Sequence, residues 1–182
     1  EKGYQRATVK EIAARAGIAP GTIYLYFKNK RDLLLTIADH LIAQPVDQTL
    51  AQLADLDTET YIAAILQDRL QFARRNQAFL QALVTEIWTD EELRERFFTQ
   101  VIGPIFATGA RYLHGRVAEG ELRPCRVEIV VPAVAASIAI LSVLRALAPD
   151  YVLVGVSDDE LMDELTRLYL YGLKSNQEEG AE

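Results

Sequence analysis

Apolar residues recur along the chain at spacings of three and four, the period of a helix. Runs that alternate apolar with polar, the mark of strands, are nearly absent. The pattern predicts an all-α protein. Thr8-Val-Lys-Glu11 reads as a capping box, in which a threonine hydroxyl and a glutamate carboxylate each take one orphan N–H at a helix start. That helix runs to about Ala16 and stops at Gly17, a residue free to turn left-handed. A short helix follows over about 20–27, with Pro20 in its first turn, where a missing N–H costs little. Asn29 caps the next, which runs to about residue 44 with Leu33, Ile37 and Leu41 on one stripe.

Residues 47–57 read as a linker, part of it helical. Beyond them Ile62, Leu66 and Leu70 form one apolar row and Tyr61, Ile65 and Phe72 another, so that helix packs between neighbours. Phe79, Leu83 and Ile87 continue the pattern, with Leu80, Val84 and Trp88 beside them. Thr89-Asp-Glu-Glu92 predicts a second capping box, opening a long helix to about Ala118 that Pro104 kinks near 101–103 and Gly120 ends. Residues 127–146 are almost wholly apolar. Ser157-Asp-Asp-Glu160 predicts a third capping box, ahead of Leu161, Leu165 and Leu168, and the last eight residues or so predict a frayed polar end. The organisation predicted is a head over residues 1–45 and a helical body over 46–182.

The run Ile129–Leu144 is sixteen residues long, short of the roughly 20 that span a bilayer. Pro132, Ser137 and Ser142 interrupt it, and Glu128 and Arg145 bracket it. It predicts a buried helix and no membrane association. It also carries more apolar surface than a chain of 182 residues covers alone, which predicts self-association.

Charge changes the picture only when divided. The formal net charge is −7, which taken whole argues against nucleic acid. Residues 1–45 carry seven basic and four acidic side chains, the remainder twelve and twenty-two: a basic head on an acidic body. A single cysteine excludes an intramolecular disulfide framework and a Cys-rich zinc site. No charged segment precedes an apolar one in the manner of a signal peptide, so a cytoplasmic location is expected. Catalytic chemistry finds little footing. His40 and His114 stand apart from plausible partners, Cys125 is alone, and neither a Gly-rich phosphate loop nor His-x-x-x-His is present. Asp158-Asp159 suits a helix N-terminus. No catalytic residue, metal site or cofactor is predicted.

The head carries the more specific signal. Helix, Gly-containing turn and short helix over residues 8–27 is the helix-turn-helix layout, whose second helix enters the DNA major groove. Ile12, Ala13 and Ala16 give the first helix a small apolar face, and Ile18 and Ile23 plug the angle between the two. Tyr24 and Tyr26 are long, stiff side chains whose hydroxyls reach phosphates. Lys28, Lys30 and Arg31 cluster at the start of the next helix. The same layout serves as a plain structural hairpin in other proteins, and on geometry alone that reading stays open.

The stretch from Ala7 to Leu34, and above all Gly21-Thr-Ile-Tyr-Leu-Tyr-Phe-Lys-Asn-Lys30, resembles the DNA-binding signature of TetR-family transcriptional regulators. The resemblance covers about residues 2–44; the rest is similar only in form. It implies a homodimer on palindromic operator DNA, usually a repressor released by a small-molecule effector. It implies phosphate contacts from Thr8 and Lys30, phosphate or base-edge contacts from Tyr24 and Tyr26, close approach at Gly21 and Thr22, and a weaker contact from Lys28. Leu25 and the Pro20 ring would pack on thymine methyls. Three features depart from the family. A long first helix is expected, of which Glu1-Lys-Gly-Tyr4 looks like the tail, so Ile12, Ile23 and Phe27 are expected to want a covering helix and DNA binding to be weak. Ala19 stands where Ser or Thr is frequent, forgoing about 1 kcal/mol of capping. Pro20 stands where Lys or Arg is frequent.

For the body, the resemblance implies dimerisation through residues 127–146 and 157–173, here Val134, Ile138, Leu141, Leu161, Leu165 and Leu168. A ligand cavity is expected from the apolar set Phe72, Phe79, Leu83, Trp88, Phe98, Phe106 and Tyr112, with Arg69, Glu86, Thr108, Arg111 and Ser137 as its polar groups. The composition suggests an apolar effector, and the Thr22–Phe27 string is similar to regulators that sense acyl-CoA. Two other readings compete: a helical interaction module with degenerate DNA binding, and an all-helical enzyme.

Overall fold

The computed structural model describes residues 3–53, 55–147 and 150–173, and every regular element among them is helical. Packing divides the chain into two units. One holds the residues up to Pro45 together with Ala78–Pro104, the other Val46–Gln77 together with Ile105 onward.

The first unit opens with α1 (Gly3–Arg6), α2 (Val9–Arg15), α3 (Pro20–Tyr26) and α4 (Lys30–Ala38). The Thr8 box closes as the sequence predicts. Thr8 N–H donates to Glu11 Oε2 at 2.8 Å and Glu11 N–H donates to Thr8 Oγ1 at 3.2 Å. Gly17 takes φ +71°, the left-handed value that ends α2. Ala19 stands at the N-cap of α3 without a side-chain bond, while Asn29 caps α4 by accepting from Asp32 N–H at 2.9 Å. Val9, Ala13 and Ile23 form the buried centre, with Ile12, Phe27 and Leu33 around it. Leu33 of α4 thus supplies a third wall, and Ile23 is buried where the sequence reading expected it to want cover. Ile18 is exposed rather than plugging the angle between the helices, because the turn after Gly17 carries it outward.

Two widened, π-helical turns interrupt longer helices. Asp39–Ala43 joins α4 to α5 (Gln44–Leu53); Phe98–Ile102 joins α8 (Glu91–Phe97) to α9 (Gly103–Ala118). In each, the last N–H reaches five residues back, Gln44 to the Asp39 carbonyl and Gly103 to that of Phe98. Each ends two residues before a proline, Pro45 or Pro104. Proline offers no N–H to the carbonyl four residues back and its ring crowds that carbonyl; the wider turn relieves the clash. The second turn lies where the kink was expected. The first breaks a helix read as regular to residue 44, and α5 replaces most of the supposed linker. Between them runs α7 (Gln77–Thr89). The cap of α8 is Asp90, not Thr89: Leu93 N–H donates to Asp90 Oδ1 at 3.1 Å. The Thr89 hydroxyl instead donates back to the Thr85 carbonyl at 3.0 Å.

The second unit is built on α6 (Thr58–Arg75), which packs against α10 (Val127–Leu147) and α11 (Asp158–Leu173). Tyr61, Ile62 and Leu66 of α6 meet Ile138 and Leu170 in the main core. Leu113, Leu122, Val127 and Leu173 form a second cluster. The Ser157 capping box is present, with Ser157 N–H donating to Glu160 Oε2 at 2.8 Å and Glu160 N–H to Ser157 Oγ at 3.2 Å. Arg145 pairs with Asp158 at 2.7 Å, and Arg74 reaches the same carboxylate. The polar end expected to fray lies outside the described residues.

The long apolar helix departs from expectation. Val127–Arg145 is long and apolar enough to cross a membrane, yet only 12% of it is buried within the chain. Its inner side, at Val134 and Ile138, joins the α6 core. Its outer side, through Ile129, Ala133, Ala136, Ile140 and Leu144, is exposed.

Candidate nucleic-acid interface and effector region

The head presents one side of α3 to solvent because its core takes only Ile23 from that helix. Tyr24 is 49% exposed, Leu25 82% and Tyr26 76%. Thr8, Pro20, Gly21, Thr22 and Lys28 are exposed as well. A Cβ at Gly21 would meet nothing within 4 Å, so the chain's own packing does not require glycine there. Three exposed apolar or aromatic side chains in succession, on a helix whose packing is already complete, form a surface made for contact rather than for the core.

Lys30 is placed differently from the sequence reading. Its Nζ donates to the Tyr4 carbonyl at 2.5 Å and the Ala7 carbonyl at 3.0 Å, and lies 4.1 Å from the centre of the Tyr4 ring. The ammonium is thus engaged with the end of α1 and the turn after it. Sequence reasoning could not find this, because the partners are separated from Lys30 by more than twenty residues.

Behind α3, charged pairs tie the start of α4 to α8. Arg31 pairs with Asp90 and, at 2.9 Å, with Glu92; Arg96 pairs with Asp32 at 2.7 Å. Lys28 N–H also donates to Asp32, at 3.1 Å. The hydrogen bond from Arg96 is the main force holding the Asp32 carboxyl below its ordinary range. The Leu93 N–H does the same for Asp90, with Arg31 assisting. None of the three ion pairs was read from the sequence; periodicity gives no information on ion pairs between distant helices.

The expected ligand set is divided between the two units. In the first, Leu83 and Glu86 are buried and Phe79 half-buried, whereas Trp88 is 82% exposed and Phe98 also faces solvent. Trp88 and Phe98 therefore line no enclosed cavity. Each lies on the outer side of its helix, a side that the apolar rows could not tell from the inner one. Glu86 borders an open groove of about 1050 Å³ with Tyr4, Arg31, Asp90, Glu92 and Glu95, acidic surroundings unlike the apolar pocket expected. In the second unit Phe72, Phe106, Thr108 and Tyr112 are half-buried. Arg69 pairs with its neighbour Asp68 and sits 5.1 Å from the Phe72 ring centre. Arg111 is exposed and donates to Thr108 Oγ1 at 2.9 Å. Ser137 bonds to the Tyr169 hydroxyl.

The expected dimer residues also divide. Ile138 and Leu161 are buried within the chain, Val134, Leu141 and Leu165 are half-buried, and Leu168 is 65% exposed. The open face of α10 is instead the Ile129–Ala133–Ala136–Ile140–Leu144 stripe. Ile138 and Leu161 are thus core positions within the single chain; a helix apolar all round gives no sequence signal for which side is inward.

Residues 1–37 match the family model described as bacterial regulatory proteins of the tetR family. The helix-turn-helix just described is thus similar to the DNA-binding segment of that family, set in an all-helical fold. Among curated proteins, its head is 46% identical over 48 residues to the fatty acid metabolism regulator protein of Bacillus subtilis, covering 26% of this chain and 25% of that protein. An uncharacterized HTH-type transcriptional regulator, YvdT of the same organism, is 24% identical over 123 residues, covering 67% of this chain and 62% of its own length. The matched segments therefore span from a quarter to about three-fifths of these relatives. Among solved structures, the transcriptional regulator FadR from Bacillus subtilis in complex with stearoyl-CoA superposes with a TM-score of 0.77 at 22% identity, over 94% of this chain and 91% of that one. At that identity the likeness is one of fold.

Proposed function

We propose that the chain is a homodimeric transcriptional repressor that leaves its operator when a long-chain acyl thioester, or a closely similar apolar ligand, binds the body. The observation that carries the DNA-binding half is the Tyr24–Leu25–Tyr26 surface on a helix whose core contacts are already made. The relatives support the ligand half. One, a fatty acid metabolism regulator, is 46% identical over 48 residues of the head; another shares the fold and holds stearoyl-CoA.

In this reading Pro20, Gly21, Thr22, Tyr24, Leu25 and Tyr26 meet the major groove, while Thr8 and Lys28 approach phosphates. Few of these side chains read base edges by paired hydrogen bonds, so specificity rests on apolar contact and DNA shape. Lys30 acts by holding α1 against α4, not as a free phosphate ligand. A second copy covers the open stripe of α10 and sets the two α3 helices about one DNA turn apart, roughly 34–36 Å. The Arg31–Asp90 and Asp32–Arg96 pairs make α8 and the start of α4 move together, so a shift of α8 re-aims α3. The effector acts through its unequal affinity for the two arrangements. Such a regulator works in the cytoplasm, where the DNA is, and needs no catalytic step.

Selection from random duplex DNA at near-physiological salt tests the reading. The expected product is an enriched inverted repeat, with few strictly required guanines under α3. Recovery of no common sequence would contradict it.

A further inference from the structure

In the second unit, α6 and α9 bring two tyrosines into direct stacking. The rings of Tyr61 and Tyr112 lie with centres 3.4 Å apart and planes 7° from parallel. Aromatic pairs prefer offset or edge-to-face arrangements to a face-to-face sandwich, in which like quadrupoles oppose each other. Tyr61 is only 5% exposed and its hydroxyl has no hydrogen-bond partner; the Tyr112 oxygen takes a hydrogen bond from the Arg116 side chain, but neither hydroxyl has an acceptor for its own proton. Buried polar groups are nearly always bonded, and one that is not invites the question of what completes it. Burial raises the Tyr61 phenol above its ordinary range, so it remains a neutral O–H donor at every physiological pH. The walls around the pair are aliphatic: Ile62, Leu66, Ile138 and Leu170 are packed in the same cluster. Two donors without acceptors, set in hydrocarbon, complement one chemistry: an aliphatic chain that ends in an acceptor oxygen.

We propose that Tyr61 and Tyr112 are the polar anchor of the effector site, closed on each other in the ligand-free protein and parting to donate hydrogen bonds to the acyl oxygen of an aliphatic carboxylate or thioester. This rests on the effector-released repressor reading and adds the site to it. The stacked rings fill the place that the ligand's acyl carbon and oxygen take. Arg116, whose guanidinium lies 5.1 Å from the Tyr112 ring centre, keeps a positive charge beside the polar end. Ligand entry exchanges a ring sandwich for two satisfied hydroxyls, and the parting of α6 from α9 is the movement the body passes on.

The test uses the full chain with Tyr61→Phe, Tyr112→Phe and the double variant. Palmitoyl-CoA and palmitate are the probes in separate arms, which distinguishes the thioester from the free acid. Each variant is measured for thermal midpoint, for binding to the selected operator, and for the probe concentration that releases half of it. The expected result is a midpoint for Tyr61→Phe no lower than that of the unaltered chain, since that hydroxyl makes no bond in the resting state, and unchanged operator binding for every variant. The releasing concentration should rise tenfold or more for either single variant. Release of both variants at the unaltered concentration would overturn the anchor while leaving the repressor reading intact. A lowered midpoint for Tyr61→Phe with unchanged release would also overturn it, because that hydroxyl would then be bonded within the resting protein. Failure of both probes to release the unaltered chain would overturn the effector reading and the anchor with it.

Discussion

Gly21 occupies the first turn of α3 with open space where a Cβ would stand and no positive φ to demand glycine. Alanine there should therefore be tolerated by the fold, and it should stabilise the chain by about 0.5–1 kcal/mol through its better helix propensity. If the glycine serves to let DNA come close, the same methyl group should obstruct the operator. The expected outcome for Gly21→Ala is a slightly higher thermal midpoint together with operator binding weakened about tenfold or more; undiminished binding would remove Gly21 from the interface. Lys30 makes the complementary point. A basic residue in the right motif looks like a phosphate ligand from the sequence, but its ammonium is bonded to two carbonyls of α1 and the following turn. Side-chain type was legible, and the partner that determines its use was not.

At the scale of elements, local chemistry was the legible part. The Thr8 and Ser157 boxes, the Asn29 cap, Gly17 and the Pro104 break each involve residues no more than five apart, and each is where the sequence puts it. Pro45 carried the same signal as Pro104 and produced the same π-helical turn. It stood at the end of a strong apolar stripe, which masked the break. The α4–α8 ion pairs belong to the other kind, where charges distant in sequence meet only in the fold. They give a pH prediction. The Asp32 and Asp90 carboxyls titrate below their unfolded values. Their contribution to stability is therefore complete above the unfolded value, about 3.9, and is lost as pH falls through the depressed folded values. Stability of the first unit should be insensitive to these groups near neutrality and decline below about pH 4. Carboxyl carbon NMR on Arg96→Ala should find the Asp32 titration moved up toward its ordinary value and that of Asp90 scarcely moved, since the Leu93 N–H remains. An unmoved Asp32 would mean that the Arg96 bond does not form in solution.

For the whole molecule, the open face of α10 is the feature that one chain leaves unfinished. Its exposed stripe of Ile129, Ala133, Ala136, Ile140 and Leu144 lies opposite the side packed on α6, a one-sided arrangement that suits a partner helix. The small alanines let two helices approach closely, and the isoleucines supply the apolar contact. Replacing Ile140 by Glu puts a charge in that seam. The mass in solution, by light scattering, should fall from twice 20.4 kDa to 20.4 kDa, and operator binding should fall with it. An unaltered chain that already has the mass of a monomer would remove α10 from this role. The apolar excess of this segment was visible in the sequence. Which side faced outward was not, because a helix apolar all round carries no stripe to read.

The central claim is that binding in the body weakens binding at the head, and one titration tests it directly. Fluorescence anisotropy of the selected operator is measured with the full chain, with and without saturating palmitoyl-CoA, at one fixed salt concentration. Coupling between sites of this kind is typically about 5–150-fold, so the account predicts a rise in operator Kd within that range. Equal affinity with and without the ligand, in a protein shown to bind that ligand, would contradict it.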